Sequence, residues 1–393
     1  MNDSPLQGIK VLDLSRFLAG PYCSMLLGDH GAEVLKVEPP GSGDPTRVQG
    51  PPFADGEGLT FLATNRNKQS VVLDLKDGAD HRLLLQIAAT ADVVVENFRP
   101  GVLRRFGLDY ESLRSLNPGV VYGSISGFGS DGPMAEMGAF DLTIQALGGY
   151  MSITGEPDGA PIKLGTSVID MLAGMNLFSG ILIALLERKR TGQGQLVETS
   201  LLESQVALLS NAAFESLLGF GVPRRRGSEH PQLVPYKAFR TADGWIVIGA
   251  GVQNLFEKLA RTLGRGDLIA DERFSTLAAR LQNREHVNQT IESLTLLQDT
   301  LALVGRLSDA GVPCAPVATI DQVFENEQVL HRRMKVDLRG EDPVRGVTLG
   351  SAIKYSGFDI TEGWSPPPKL NEGGHALIER WLSRSEHSEA GHS

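Results

Sequence analysis

Five short runs rich in β-branched residues recur within the first 126 residues, and stretches with helical periodicity separate them. The runs are IKVLDLS, AEVLKVE, SVVLDLK, DVVVENF and GVVYGSIS, and the helical patterns cover 21–30, 78–91 and 101–116. Strands buried on both faces and joined by helices form a parallel sheet, because right-handed crossovers place the helices on its two faces. The sequence therefore predicts a Rossmann-like α/β domain.

A change of composition near residue 219 predicts a domain boundary. The segment GFGVPRRRGSEHP is rich in glycine, proline and arginine, which is typical of a linker. Two strand-like runs then flank Ala242–Gly244, as in a β-hairpin. We therefore predict a large α/β domain over 1–218, completed by 331–393, and a smaller α+β domain over 219–330.

The other segments carry further helix and strand patterns. Strand-like pieces, MKVDL and VTLGSAIKYSGF, follow residue 330. The polar tail SEHSEAGHS is predicted to be disordered. Helices are predicted over 141–150, 167–190, 201–218, 252–263, 282–306 and 374–383.

Charge and composition exclude several kinds of partner. A net charge of −10 over 393 residues offers no basic face, which disfavours nucleic acid and anionic membrane as partners. Cys23 and Cys314 lie far apart without a CxxC, and the eight histidines show no metal-ligand spacing. We therefore expect neither a disulfide framework nor a metal site. The chain begins without the pattern of a secretion signal, so we expect a cytoplasmic protein.

One apolar segment, 164–186, contains a single charge, the carboxylate of Asp170. We interpret the segment as a buried helix, because Asp170 and Asn176 would be costly in a bilayer and no second such segment occurs. A lone carboxylate there must cap a helix, meet a donor or face a polar cavity. Gly165–Ser167 already offers capping residues, so Asp170 lies inside the helix start. The residues alone leave a structural and a catalytic role equally open.

Common nucleotide and hydrolase motifs are incomplete or missing. Gly127–Gly132 matches GxGxxG after a predicted strand, but Pro133 and the pattern after it do not open the helix that a dinucleotide site needs. The chain contains neither GxxxxGK[ST] nor GxSxG, the core motifs of P-loop NTPases and α/β-hydrolases. We therefore expect no permanently bound cofactor.

Long motifs in a fixed order run nearly the whole length of the chain. They are LDLSRFLAGPYCSMLLGDHGAEVLKVEPPGSGD, NRNKQSVVLDLK, VENFRPGVLRRFGLDY, FDLTIQALGG and GTSVIDMLAG. In this combination the chain resembles the family III CoA-transferases, which include formyl-CoA transferase, L-carnitine CoA-transferase and succinyl-CoA-dependent dicarboxylate transferases. The resemblance places Asp170 at the family's nucleophile, and it implies an interlocked homodimer.

The chemistry implied by the resemblance needs no histidine. A carboxylate with a reference pKa of about 3.9 is already ionised at neutral pH and can attack a thioester. Asp170 would form an aspartyl-acyl anhydride and then an aspartyl-CoA thioester, and the acceptor acid would reverse these steps. The implied substrates are coenzyme A, acyl-CoA and small carboxylic acids.

The resemblance also implies a set of CoA contacts. Lys76 and Arg105 would be the cationic ones. Many relatives carry Arg in place of Pro39 and a polar residue in place of Leu18, so contacts at the adenine end differ. The matching positions are 16–19, 73–76, 97–99, 105 and 138–141, and they include Arg16, Ala19, Leu73, Lys76, Asn97, Phe98, Arg99, Arg105, Gly138, Ala139, Phe140 and Asp141.

The loop 227–236 matches the region where some relatives carry a run of glycines over the nucleophile. This chain lacks that run. In the loop that begins at Gly227, His230, Pro235 and Tyr236 resemble the pattern of succinyl-CoA-dependent members, where the loop shapes the mouth of the site. Gln49 stands where oxalate-handling relatives carry Trp, which disfavours oxalate as acceptor. The implied donor is succinyl-CoA and the implied acceptor a small dicarboxylic acid.

Two alternatives stay open. A sister branch, the 2-methylacyl-CoA racemases, pairs the aspartate with a histidine that would fall at Phe140, and phenylalanine cannot exchange a proton. A non-catalytic CoA-binding protein is the other alternative.

Overall fold

The computed structural model describes residues 4–338 and 345–389, and the chain divides into two compact units. The first unit contains the chain up to Gly149, Leu164–Gly219 and the chain from Glu327 onward. The second unit contains Tyr150–Lys163 and Phe220–Asn326. The segment Tyr150–Lys163 thus differs from our expectation, which placed it in the large domain.

The strands are numbered along the chain. They are β1 (Lys10–Asp13), β2 (Glu33–Glu38), β3 (Phe53–Ala54), β4 (Glu57–Gly58), β5 (Lys68–Val72), β6 (Val93–Glu96), β7 (Val121–Ser126), β8 (Leu196–Ser200), β9 (Tyr236–Arg240), β10 (Trp245–Gly249), β11 (Cys314–Pro316), β12 (Lys335–Asp337) and β13 (Val347–Leu349).

The α-helices are numbered in the same way. They are α1 (Ala19–Asp29), α2 (Leu59–Thr64), α3 (Gly78–Ala89), α4 (Tyr110–Leu116), α5 (Asp141–Leu147), α6 (Tyr150–Ile153), α7 (Val168–Thr191), α8 (Leu201–Leu208), α9 (Ser210–Leu217), α10 (Gln253–Thr262), α11 (Leu277–Gln282), α12 (Arg284–Thr295), α13 (Thr300–Asp309), α14 (Ile320–Glu325), α15 (Glu327–His331) and α16 (Gly374–Glu389). Short 3-10 helices cover Pro45–Val48, Leu103–Phe106 and Gly266–Ile269.

The first unit is built on a six-stranded parallel sheet with the order β5-β2-β1-β6-β7-β8. Its first five strands along the chain are the five predicted runs, which confirms the α/β fold. The sixth, β8, is missing from the prediction. It lies at the edge of the sheet and its side chains alternate between exposed and partly buried, so it lacks the continuous apolar run of an inner strand.

Several predicted helices are divided or displaced. The pattern over 101–116 is a 3-10 helix and α4, separated where Gly107 adopts a φ of 61°. The pattern over 201–218 is broken between α8 and α9, because Ser210 has a φ of 46°. The pattern over 282–306 is also two helices, α12 and α13. The last helix, α16, continues to Glu389, so part of the tail predicted to be disordered is helical.

Packing on the sheet fixes the position of α7. On one sheet face, Leu12, Leu35 and Val94 pack with Leu84 of α3 and the fully buried Trp381 of α16. On the α7 side, a Cβ atom at Gly174 would lie 2.6 Å from the carbonyl oxygen of Ala19. Glycine therefore lets α7 approach the start of α1 at backbone distance.

The second unit contains the antiparallel sheet β11-β10-β9. β9 and β10 form the predicted hairpin, closed by a hydrogen bond from the Thr241 amide to the Gly244 carbonyl at 3.0 Å. Phe239, Ile246 and Ile248 from this sheet pack against helices through Leu259 and Ile291.

By length and composition, α7 could cross a membrane, with a mean hydropathy of 1.9 over its most apolar 18 residues. It is the sole helix of the described residues with this property, and core helices of soluble proteins share it.

Candidate active site

A cleft of about 310 Å³ lies where the carboxyl ends of β1, β6 and β7 meet the start of α7. The strands that follow β1 in the chain, β2 and β5, lie on one side of it, and β6, β7 and β8 lie on the other side. The topological switch point of the sheet is therefore between β1 and β6. Ligands of open α/β sheets bind at such points. The lining residues are Arg16, Phe17, Leu18, Ala19, Asn97, Phe98, Arg99, Pro100, Ile125, Ser126, Gly127, Met137, Gly138, Ala139, Phe140, Asp170 and Leu201.

Asp170 stands in the first turn of α7 and lines this cleft. The helix start is capped by another carboxylate, since Asp141 Oδ2 accepts hydrogen bonds from the amides of Ile169 at 2.8 Å and Asp170 at 3.4 Å. Ser167, at the N-cap position, makes no capping bond with its side chain. Asp170 therefore does not cap α7.

The protonation of Asp170 differs from our expectation. Burial and then the negative charge of Asp141 raise the pKa of Asp170 to about 7. No described residue donates a hydrogen bond to its carboxylate, so nothing in this part of the chain offsets the loss of hydration. The carboxyl group of Asp170 thus holds its proton to a higher pH than that of an ordinary aspartate, which is fully ionised at neutral pH.

Paired hydrogen bonds join the loops that follow β1 and β6. The Arg16 amide donates to Asn97 Oδ1 at 2.8 Å, and Asn97 Nδ2 donates to the Arg16 carbonyl at 2.6 Å. The Arg16 guanidinium lies 4.8 Å from the centre of the Phe98 ring, as in a cation–π contact. Two sequence-predicted segments are therefore locked together at the cleft.

Arg99 and Gly138 bring a third loop to the same place. A Cβ atom at position 138 would lie 2.4 Å from Arg99 Nη2, so any larger residue there would displace the guanidinium from this place. No ion pair of Arg99 occurs among the residues described. The Arg99 guanidinium thus brings a positive charge to the cleft and pairs with no carboxylate of the described residues.

A second cleft, of about 470 Å³, shares Arg16 and Phe98 with the first. Leu73 and Lys76 line it, together with Pro39 and Phe106. Among the sequence-predicted residues of the first unit, three line neither cleft. Arg105 is exposed on the 3-10 helix between Leu103 and Phe106, Gln49 is exposed after Val48, and Asp141 is buried beneath the start of α7.

A buried charge network holds the end of β1. Lys68 Nζ lies 3.0 Å from Asp13 Oδ2, and Lys36 Nζ donates to the Ser15 carbonyl at 2.8 Å and pairs with Asp44 at 3.0 Å. Burial opposes ionisation of Asp13, but the two lysines together with hydrogen bonds from Ser15 and Ser24 outweigh it, so the pKa of Asp13 lies below its usual range. The network anchors the loop that carries Arg16.

Gly227, His230 and Tyr236 lie in the second unit. The His230 amide donates to the Tyr236 carbonyl at 3.0 Å and their rings are 5.2 Å apart, while the Gly227 amide donates to the Gly155 carbonyl at 2.9 Å. Arg284 also holds the loop by donating to the His230 carbonyl at 2.9 Å. Their role at the mouth of a site stays a prediction.

Sequence reasoning missed several cleft residues. Ser126 and Gly127 end a predicted strand, and the rule for carboxyl ends of parallel strands could have found them. Met137 lies in a loop whose course no local pattern reveals. The capping role of Asp141 joins residues 28 and 29 positions apart, which periodicity does not show.

The racemase alternative finds no support in the cleft. At position 140, where the racemase histidine would stand, the phenyl ring is 67% exposed and lines the cleft with Asp170. Among the described residues, no histidine lines either cleft. Asp170 thus has no proton-exchanging histidine beside it.

The parallel sheet and its cleft define an α/β protein that binds a ligand at the switch point of the sheet. Comparisons with known proteins identify its family. The family model of CoA-transferase family III matches residues 6–374. A succinate–glutarate CoA-transferase of Agrobacterium fabrum is 43% identical over 376 residues, covering 94% of this chain and 93% of that protein. An acetyl-CoA:oxalate CoA-transferase of Acetobacter aceti is 37% identical over 380 residues, covering 96% of each.

The fold agrees with these matches. A crystal structure of a CAIB/BAIF family protein from Brucella suis has a TM-score of 0.88 at 39% identity, covering 97% of this chain and 100% of that one. The chain belongs to CoA-transferase family III, which confirms the resemblance seen in its motifs and the prediction that it is a CoA-transferase.

Proposed function

We propose that this protein transfers CoA from succinyl-CoA to a small dicarboxylic acid, with the carboxylate of Asp170 as the covalent carrier. The observation that carries the proposal is the placement of Asp170, which lines the switch-point cleft without capping its helix or meeting a donor among the described residues. The relative from Agrobacterium fabrum, a succinate–glutarate CoA-transferase, supports the choice of donor and acceptor class.

The reaction proceeds through two kinds of intermediate. The Asp170 carboxylate attacks the thioester carbonyl, the C–S bond breaks, and a mixed anhydride and CoA thiolate result. The thiolate attacks the aspartyl carbonyl of the anhydride, releasing succinate and leaving an aspartyl-CoA thioester. The acceptor carboxylate attacks this thioester, and the thiolate it frees then attacks the acceptor's acyl carbonyl. The new acyl-CoA leaves, and Asp170 regains its carboxylate.

The raised pKa of Asp170 suits this role. A carboxylate that is poorly hydrated in the cleft does not have to shed water before it attacks, so its ionised form is a strong nucleophile. Since each step exchanges one activated acyl bond for another, the site has to position its reactants, which contributes roughly 7–11 kcal/mol in well-oriented reactions.

CoA binding is assigned to the two clefts together. The thioester end lies in the first cleft beside Asp170, and the second cleft, with Lys76 on its wall, receives the phosphates and the adenine end. Arg16 lines both clefts, so its guanidinium serves the ligand where the two join. Arg105, exposed next to the second cleft, contributes a further cation.

We also propose a cytoplasmic homodimer that does not enter the membrane. Helices α7 and α9 and the residue after α9 expose large apolar side chains, as expected of a surface that another chain covers. These are Ile183, Leu186, Phe214, Leu217 and Leu218, each 63–79% exposed. The interlocked form of the dimer rests on the family resemblance alone.

A mass measurement tests the covalent mechanism. After incubation with succinyl-CoA and no acceptor, we expect a succinyl or CoA adduct that peptide mapping assigns to Asp170. Asp170→Asn removes the nucleophile at nearly constant size and should form none, whereas Asp158→Asn, an exposed aspartate of the second unit, should react like the native protein.

An acceptor screen tests the substrate class. With succinyl-CoA as donor, glutarate and other small dicarboxylic acids should yield new CoA thioesters, and oxalate should yield less. If no adduct forms with a panel of acyl-CoAs, while deuterium from the solvent enters the α-position of a 2-methylacyl-CoA, the transferase mechanism is wrong for this chain.

A further inference from the structure

Two phenylalanines form a perpendicular pair in the first cleft. The ring centres of Phe17 and Phe140 are 6.1 Å apart and their planes make an angle of 87°, the edge-to-face arrangement that aromatic rings favour. Phe17 comes from the loop after β1 and Phe140 from the residue before α5. Both line the cleft that contains Asp170.

Core packing does not explain this pair. Phe17 is 43% exposed and Phe140 is 67% exposed, and neither belongs to a buried cluster of the first unit. Two exposed phenyl rings in edge-to-face contact leave apolar surface in water, which folding normally avoids. A role in the cleft accounts for their position better than a role in stability.

The backbone of Phe17 has an unusual conformation. Its φ is 64°, in the left-handed region that a bulky residue rarely adopts. Neighbouring contacts impose this conformation, since the Phe17 amide approaches Asp44 Oδ1 at 3.4 Å and the Arg16 amide is bonded to Asn97. Asp44 itself is held by Lys36 at 3.0 Å. The surroundings thus hold the ring at the cleft against the residue's own preference.

Phe140 is fixed by a different set of contacts. Thr143 Oγ1 accepts a hydrogen bond from the Phe140 amide at 3.0 Å and donates to the Phe140 carbonyl at 2.8 Å. The next residue, Asp141, accepts hydrogen bonds from the amides of Ile169 and Asp170. The backbone that carries this ring is therefore tied directly to the start of α7, where Asp170 stands.

Water competes with the acceptor in the proposed mechanism. If water attacks the mixed anhydride, the C–O bond to the carrier breaks, succinate and the Asp170 carboxylate are released, and the protons of water pass to the solvent and the CoA thiolate. The net reaction is hydrolysis of succinyl-CoA. An apolar wall beside the anhydride lowers the local supply of water without blocking the thiolate.

Resting on the function proposed above, we propose that Phe17 and Phe140 form an aromatic wall that keeps water from the acyl group on Asp170. The pair then determines how succinyl-CoA is divided between transfer and hydrolysis. It does not supply a proton or a charge to either reaction.

The test measures both products from one reaction. With succinyl-CoA and glutarate, chromatography gives glutaryl-CoA as transfer and free CoA as hydrolysis. In Phe17→Ala and Phe140→Ala we expect the ratio of hydrolysis to transfer to rise about tenfold or more, a change of about 1.4 kcal/mol in relative barrier height. Phe140→Tyr keeps the ring and should restore the native ratio.

Leu116→Ala is the matched control, because Leu116 is an exposed apolar residue on α4 outside both clefts, and its ratio should not change. Thermal unfolding of each variant separates loss of the wall from loss of the fold. If the ratio of hydrolysis to transfer stays within twofold of the native value in both alanine variants, the proposed wall is wrong. An equal fall of the hydrolysis and transfer rates would also contradict it. If the native protein forms no acyl-CoA from any acceptor, the proposed function is overturned as well.

Discussion

At the scale of single residues, two carboxylates at the start of α7 have different roles. Asp141 is buried and accepts hydrogen bonds from two helix amides and from Gln145 Nε2, so its negative charge is stabilised. Asp170 faces the cleft without such donors, and burial together with the charge of Asp141 raises its pKa. One carboxylate thus caps the helix, and the other lines the cleft.

This difference predicts how stability depends on pH. The pKa of Asp170 is about 7 in the folded protein and about 3.9 in an unfolded chain, so the folded state binds more protons between these values. The contribution of Asp170 to stability is therefore fully present below pH 4 and is lost as the pH rises through 7. Asp170→Asn should stabilise the ligand-free protein by up to about 4 kcal/mol at pH 8, relative to its effect at pH 4.

Urea unfolding at pH 4 and pH 8 measures this change. Asp131→Asn, at an exposed loop position, should show no such dependence on pH. An equal effect of Asp170→Asn at both pH values would contradict the raised pKa.

At the scale of elements, the site depends on how α7 meets α1. Helix α7 is packed at backbone distance against the Ala19 carbonyl through Gly174, four residues after Asp170. The loop before α1 is in turn anchored by Lys36 and the Asp13 network. Asp170 and the Arg16 loop therefore share one rigid support.

Gly174→Ala tests this support. The added Cβ would lie 2.6 Å from a backbone oxygen, so α7 or the start of α1 has to shift. We expect a loss of about 1–3 kcal/mol in the free energy of unfolding, and a higher KM for succinyl-CoA because the Arg16 loop moves with Ala19.

Gly305→Ala is the matched control for this change. Gly305 lies inside α13 and a Cβ there meets nothing within 4 Å, so alanine should be neutral or stabilise by up to about 1 kcal/mol. If the two substitutions have the same effect, the close contact at Gly174 does not govern the site.

At the scale of the whole molecule, the exposed apolar surface of α7 and α9 predicts assembly. Sedimentation should show a species of twice the 42.3 kDa chain mass at micromolar concentration. Leu217→Glu places a charge on a side chain that is 79% exposed in the single chain, and it should weaken the dimer at least about tenfold, since burying an unpaired charge is costly.

Leu116→Glu, which adds the same charge on α4, should leave the dimer intact. A native protein that sediments as a monomer would show that another partner, or none, covers this surface.

The sequence predicted most of the first unit and part of the site. Inner strands such as β6, VVVE, are buried on both faces, so their apolar runs are visible without the fold. Edge strand β8 has no such apolar run, because the neighbouring elements in the fold decide which of its side chains are covered. The break at Ser210 escaped prediction for a similar reason, since its φ of 46° follows from no local pattern.

The sequence by itself determined the parallel sheet, the long apolar helix and the single carboxylate within that helix. These features can be read from the periodicity and composition of consecutive residues. The tertiary structure alone decided that Asp141 caps α7 and that burial, together with the charge of Asp141, raises the pKa of Asp170. It also decided that the rings of Phe17 and Phe140 meet edge to face in the cleft. The physical reason is that capping, desolvation and ring contacts depend on distances between segments far apart in the chain, and only the folded backbone sets those distances.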